Sequence, residues 1–148
     1  MANIVPYSFP VELLKGNHDF VNDTYTISLY TTLATYSTAS TVFSASGEVS
    51  SGGGSQYAAQ NLTGNAVSNV ANYATVDFTP DPVWGSPTPA TFSALGAAIY
   101  NLSDSNKLVV VLDFGATFSC SNGTFTVTFP APTAGTPSGA DALLSINS

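Results

Sequence analysis

Residues 107–129, "KLVVVLDFGATFSCSNGTFTVTF", decide the fold. The first part, "KLVVVLDF" (107–114), is an almost unbroken apolar run of strand length, which predicts a strand covered on both faces. The last part, "GTFTVTF" (123–129), places Phe125, Val127 and Phe129 on one side and threonines on the other, the period-two pattern of a half-buried strand. "SNG" (121–123) between them reads as a hairpin loop.

Outward from this segment the same grammar continues. "FSALGAAIY" (92–100) is a long apolar run suited to a central strand, and "SDSN" (103–106) joins it to the 107–114 strand as a hairpin loop. In "TYTISLY" (24–30) Tyr25, Ile27 and Leu29 alternate with Thr24, Thr26 and Ser28. In "YATVDF" (73–78) Ala74, Val76 and Phe78 share one face. "STVFSAS" (40–46) is a weaker strand, and "ALLSI" (142–146) is a candidate last one. "TPDPVWGSPTP" (79–89) carries too many prolines for a regular strand and is expected as a rigid loop holding Trp84. "SGGGS" (51–55) reads as a flexible segment or a wide loop. A single short helix is predicted near the start. Ser8 would cap it, Pro10 suits its first turn, Val11, Leu13 and Leu14 are its apolar residues, and Gly16 stops it.

These elements predict an all-β fold, an antiparallel, jelly-roll-like β-sandwich with one short N-terminal helix. No internal repeat or boundary divides the 148 residues, so a single domain over 1–148 is expected, with extended arms at 1–10 and 130–148. A chain of this length buries roughly two-thirds of its unfolded surface, enough for its own core.

Charge narrows the function. Only 7% of residues are charged, against about 25% in ordinary domains. The only basic residues are Lys15 and Lys107, and the formal net charge is −7. Nucleic-acid binding needs cations to neutralise phosphates, so nucleic acid is not an expected partner. The same sign disfavours an anionic membrane surface, and no run approaches the roughly 18 apolar residues of a spanning helix. The opening residues lack a secretion-signal pattern, so synthesis in a cytoplasm is expected. Four Asn-x-Ser/Thr sequons, at Asn22, Asn61, Asn101 and Asn122, matter only in a secretory pathway.

No catalytic constellation emerges. Cys120 is the only cysteine and reads as a small buried apolar residue. His18, the only histidine, stands beside Asp19 in "GNHDF", but adjacent side chains rarely face each other, and a structural hydrogen bond at the helix end is expected instead. Asp19 with Asp23, or Asp77 with Asp81, could begin a calcium site, but no EF-hand pattern follows. Phosphate-loop and G-x-S-x-G motifs do not occur. Neither a metal nor a cofactor is expected, and no enzyme activity. Tyr57, Tyr73, Trp84 and Tyr100 read as core or interface anchors, the competing reading being a sugar-stacking platform.

The blocks "ELLKGNHDFVNDTYTISLYTT" (12–32), "EVSSGGGSQYAAQNLTG" (48–64), "VWGSPTPATFSALGAAIYN" (83–101) and "KLVVVLDFGATFSCSNGTFTVTFPA" (107–131) occur in an order that resembles small virion structural proteins of tailed bacteriophages. The correspondence runs over nearly the whole chain. It includes Tyr57 and Ala58 in the second block and a short apolar strand at the end. An arginine common in the third block is Leu95 here. The resemblance implies a particle component and supplies no catalytic residue. Relatives are described as head decoration, minor structural or tail fibre proteins.

The leading expectation is a capsid decoration, or cement, protein on the outer capsid surface of the virion. Its partners would be the major capsid protein and copies of itself. Leu143, Leu144 and Ile146 would anchor the C-terminal arm, with Trp84 and Tyr57 as further partner-binding residues. An alternative for 142–146 is pairing within its own domain. The alternative functions are a tail or head–tail joining structural protein and a carbohydrate-binding adhesion module.

Overall fold

The long antiparallel hairpin of β6 (Ala90–Asn101) and β7 (Lys107–Gly123) organises the molecule. The computed structural model describes residues 2–70, 73–130 and 143–147. The other described elements are α1 (Ser8–Leu14), β1 (Tyr25–Tyr30), β2 (Gln60–Leu62), β3 (Ala66–Val70), β4 (Tyr73–Asp77), β5 (Val83–Trp84), β8 (Phe125–Thr126) and β9 (Leu144–Asn147). They form a four-stranded sheet in the order β2-β1-β6-β7, a three-stranded sheet β3-β4-β9 and a two-stranded ribbon β5-β8. Every strand pairing is antiparallel. The result is an all-β, sandwich-like fold with one short helix.

The four-stranded sheet is covered on both faces. From β1, Tyr25, Ile27 and Leu29 point into the main core, where they meet Ala97 and Ile99 of β6, Phe78, Trp84 and the alternating Phe125, Val127 and Phe129. The intervening side of the sheet carries Tyr30, Ala98, Leu108 and Val111, which pack under Ile4, Leu33 and Tyr36 with Phe43 at the margin. All six residues of β1 are therefore buried, threonine and serine included. Leu108–Val111 are buried consecutively for the same reason, as the apolar run predicts. The aromatic content is spent here. Phe20 stacks on Tyr25 with centroids 4.6 Å apart, and Trp84 meets Phe125 edge-on at 6.2 Å.

Several local expectations change. β7 runs through "SNG" to Gly123, which pairs with Ala90, so that tripeptide is strand and no hairpin loop. The proline-rich loop does hold Trp84, yet Val83–Trp84 also form a two-residue strand against Phe125–Thr126. The weak strand at 40–46 is reduced to one bridge, Val42 with Lys107. In β4 the buried residue is Thr75, which bonds the Ser68 hydroxyl at 2.9 Å, while Ala74 is exposed. Ser8 lies inside α1, and Tyr7 precedes it without any side-chain cap.

The arms also differ from expectation. The N-terminal segment is stitched to its own domain. Ile4 and Val111 exchange two backbone hydrogen bonds of 2.8 Å, Asn3 Oδ1 accepts from the Asp113 N–H, and the Tyr7 N–H donates to the Thr38 carbonyl. Burial of Ile4 in the second cluster gives this segment a reason to stay. Of the 130–148 stretch, residues 131–142 and 148 lie outside the described residues. Leu144–Asn147 pair with β4 as an internal strand, which is the alternative the sequence held open for 142–146.

Candidate functional site

Helix α1 shows part of its apolar set to solvent. Phe9 is its buried residue, and Leu13 packs against the main core. Positions 9 and 13 are one turn apart, so they take the inward face. Tyr7, Val11 and Leu14, spaced four and three, fall on another face and are 75%, 51% and 90% exposed. An apolar groove of about 620 Å³ opens beside this stripe, with Pro10, Leu13 and Leu14 as one wall. Its floor is the outer sheet, where Val67, Val76 and Leu144 lie in one cross-strand row and Ala74 and Ile146 in the next. No charged side chain lines it. Isolated exposed apolar residues are ordinary; here Leu14 belongs both to the stripe and to a groove whose lining carries no charge.

The expected partner-facing residues divide. Leu144 and Ile146 line this groove, Ile146 being 55% exposed, and they do so as strand residues. Leu143 is half-buried beside the core and lines a different groove. Trp84 and Tyr57 are interior. The Trp84 Nε1–H donates to the Ala58 carbonyl at 2.7 Å. The Tyr57 hydroxyl accepts from the Leu29 N–H at 2.9 Å and donates to Glu48 Oε1 at 2.7 Å. A buried aromatic with a satisfied polar atom is a core anchor, so neither can reach a partner or stack on a sugar.

The main polar cluster is structural in its geometry. Asn101, fully buried at the end of β6, donates to the Asn17 carbonyl at 3.1 Å and to Asp23 Oδ2 at 2.7 Å, and its carbonyl oxygen accepts from the Ser103 and Asp104 N–H groups. Buried His18 has Nε2 3.3 Å from Glu12 Oε2 and its ring against Phe9. Asp19 accepts from the Asn22 side-chain amide and from the N–H groups of Val21 and Asn22, and these bonds hold its carboxyl below the usual carboxylate range. The acids and the histidine are thus engaged with their own loop and hairpin. Cys120 is buried at a distance from them, in the aromatic core. Among the described residues no three His, Cys, Asp or Glu side chains group as a metal site. No described helix is long and apolar enough to cross a membrane.

Family models, curated proteins and solved structures offer no match to this chain. Its function must therefore be argued from its own surfaces. Sequence reading missed the most exposed one because it took Val11, Leu13 and Leu14 together as the apolar residues of α1 and did not divide them between two faces. The available signal was the second set at 7, 11 and 14, which cannot turn inward together with 9 and 13 on a helix of seven residues.

Proposed function

We propose that the chain is a bacteriophage structural protein that decorates the capsid, docking on the outer shell and stabilising its mature form. The observation that carries this reading is the uncharged apolar face built from the Tyr7–Val11–Leu14 stripe and the groove floored by Val67, Val76, Leu144 and Ile146. Such a face loses water on contact with a protein surface, and burial of apolar area drives association at roughly 25 cal/mol per Å² before the costs of ordering. The scarcity of charge fits a permanent contact insensitive to salt. The edge strand β3 adds a second docking element, since among the described residues it pairs only with β4, and it carries no charge. The ordered resemblance to small virion proteins of tailed phages points the same way. Binding only to the assembled, mature shell stabilises that shell by mass action, as any ligand of one state does. Copies of the chain would follow the symmetry of the shell.

The test is the copy number in purified virions, by quantitative mass spectrometry against the major capsid protein. About one copy per capsid subunit, or about one per three, is expected of a decoration protein on a symmetric shell. A number matching tail components would transfer the chain to the tail. Absence from particles would remove the virion reading.

A further inference from the structure

The outer sheet ends on an edge that its own sequence leaves unguarded. In the order β3-β4-β9, strand β3 is outermost, and among the described residues it pairs only with β4. Ala66, Val67, Ser68 and Asn69 are all exposed. The outward N–H and C=O groups of such a strand are a template for one more strand. Native edges are ordinarily blunted by shortness, a bulge, a proline, a charge or a covering segment. The four-stranded sheet shows these devices. Its edge strand β2 is three residues long. Its other edge, β7, is bridged from outside by Ile4 at Val111 and by Val42 at Lys107, and residues 114–117 bulge opposite the single residue Leu95. Strand β3, "AVSNV", has neither a charge nor a proline, and its five residues pair with β4 in unbroken register.

We propose that β3 pairs with β3 of a second copy of the chain, antiparallel, about a twofold axis through Val67. A strand paired antiparallel with itself is self-complementary, so one sequence supplies both sides of the contact. An axis perpendicular to the sheet keeps each face on its own side, so Val67 meets its own counterpart and Ala66 meets Ser68 of the other copy. The floor of the apolar groove selects this register. Leu144, Val76 and Val67 form one cross-strand row there, and Val67, 52% exposed, is its open end. Pairing on Val67 joins the row to its twofold copy and covers both valines, with Cβ atoms about 4.5–5.5 Å apart. Charge admits the contact, since a charged side chain near the axis would meet its like, and β3 has none. The pairing extends the sheet in its own plane, so two three-stranded sheets become one and the groove stays open. Both α1 stripes then lie on the same side, and two docking faces held together bind a repeating surface with the gain of bivalency. That consequence rests on the docking reading above; the self-pairing is measured without particles, so either can fail alone.

The experiment is sedimentation velocity on the full chain over a range of concentrations, in about 0.5 M sodium chloride to screen the net charge of −7 on each copy. A reversible monomer–dimer equilibrium is expected, with the Kd weakened about tenfold or more in Val67→Lys, which sets two like charges against each other on the axis. Val42→Lys makes the same change of net charge at another exposed valine and is expected to leave the Kd unchanged. The register is read by cysteine crosslinking. Oxidation with diamide is expected to give a disulfide-linked dimer of Val67→Cys and no more than a trace from Asn69→Cys, whose twofold mate lies beyond disulfide reach. The native Cys120 is buried. A chain that stays monomeric leaves the edge to a strand of another protein and overturns the proposal. So does a dimer that ignores Val67→Lys but is lost in Leu14→Asp, which would place the contact on the helix stripe, or equal crosslinking of the two cysteine variants.

Discussion

The Asn101 side-chain amide donates to the Asp23 carboxylate at 2.7 Å, joining positions 78 residues apart. The same amide nitrogen reaches the Asn17 carbonyl, and the amide oxygen closes the turn after β6. One fully buried side chain thus pins the loop after α1 to the turn of the central hairpin. That loop carries Phe20, whose ring stacks on Tyr25, so polar and aromatic contacts fix the same junction.

Replacing Asn101 with Ala leaves the Asp23 carboxylate and the turn N–H groups without this partner. Unfolding in urea is expected to show a loss of about 2–4 kcal/mol with an unchanged slope, the usual cost of breaking a buried network. A loss under about 1 kcal/mol would show that water replaces the amide freely. Asn101 is also a sequon position, and its burial means that a glycan there is incompatible with this fold.

The tyrosines predict a sharp alkaline limit. Burial raises the pKa of Tyr25, Tyr30, Tyr36, Tyr57 and Tyr100, with Asp23 adding to Tyr25 and Glu48 to Tyr57. The folded protein holds these protons more tightly than the unfolded chain, where a tyrosine ionises near about 10. Their stabilisation is complete below that pH and is lost as the pH climbs from there towards the raised folded-state values. Tyrosinate absorbance from these five residues and loss of the sheet signal are expected to coincide. Reversible ionisation of all five near pH ~10 with the sheet intact would contradict their burial.

Trp84 reports directly on the core. It is the only tryptophan and is 2% exposed, so its fluorescence is expected to be blue-shifted, resistant to iodide and red-shifted on unfolding. Trp84→Phe removes the donor to Ala58 and leaves a void, at an expected cost of about 1–3 kcal/mol. Ready quenching in the native state would return this residue to the surface.

What sequence reveals here is periodicity, and what it hides is placement. The alternation in 24–30 and 123–129 and the apolar run at 107–114 specify strands because a half- or fully buried sheet demands those patterns. The strand at 66–70, "AVSNV", carries no such signal, since its two valines stand three positions apart instead of two, and it is held by pairing to β4. Burial of Tyr57 and Trp84 depends on partners far away in the chain, the Leu29 N–H and the Ala58 carbonyl. The 114–117 bulge is set by the β6–β7 register, which no local pattern encodes. Leu144 and Ile146 were legible as apolar residues and their pairing within the domain as one of two alternatives, but the partner strand β4 was not.

Gly96 is the tightest point of the central hairpin. A Cβ there would run into the Leu112 carbonyl oxygen and lie 2.6 Å from Leu33 Cδ1. Gly96→Ala is expected to cost about 1–3 kcal/mol by overpacking, read from the thermal or urea midpoint. Adding Leu33→Ala relieves only the side-chain clash, so the double variant should stay less stable than Leu33→Ala alone. Equal stability of those two would mean that the backbones separate without cost.

The helix stripe separates docking from folding. Leu14 is 90% exposed and Val11 half-exposed, so Leu14→Asp and Val11→Asp remove little native packing. Each is expected to change stability by no more than about 0.5 kcal/mol, as exposed substitutions do. A charge on this face must be desolvated when the face is covered, which costs on the order of a few kcal/mol and weakens association by about a hundredfold or more. Loss of Leu14→Asp from reconstituted particles, with normal folding, is the expected result. Phe9→Asp is the contrasting variant, because Phe9 is buried and its substitution should unfold the α1 region. Retention of both stripe variants on particles would mean that the partner binds elsewhere, with the β3 edge the next surface to test.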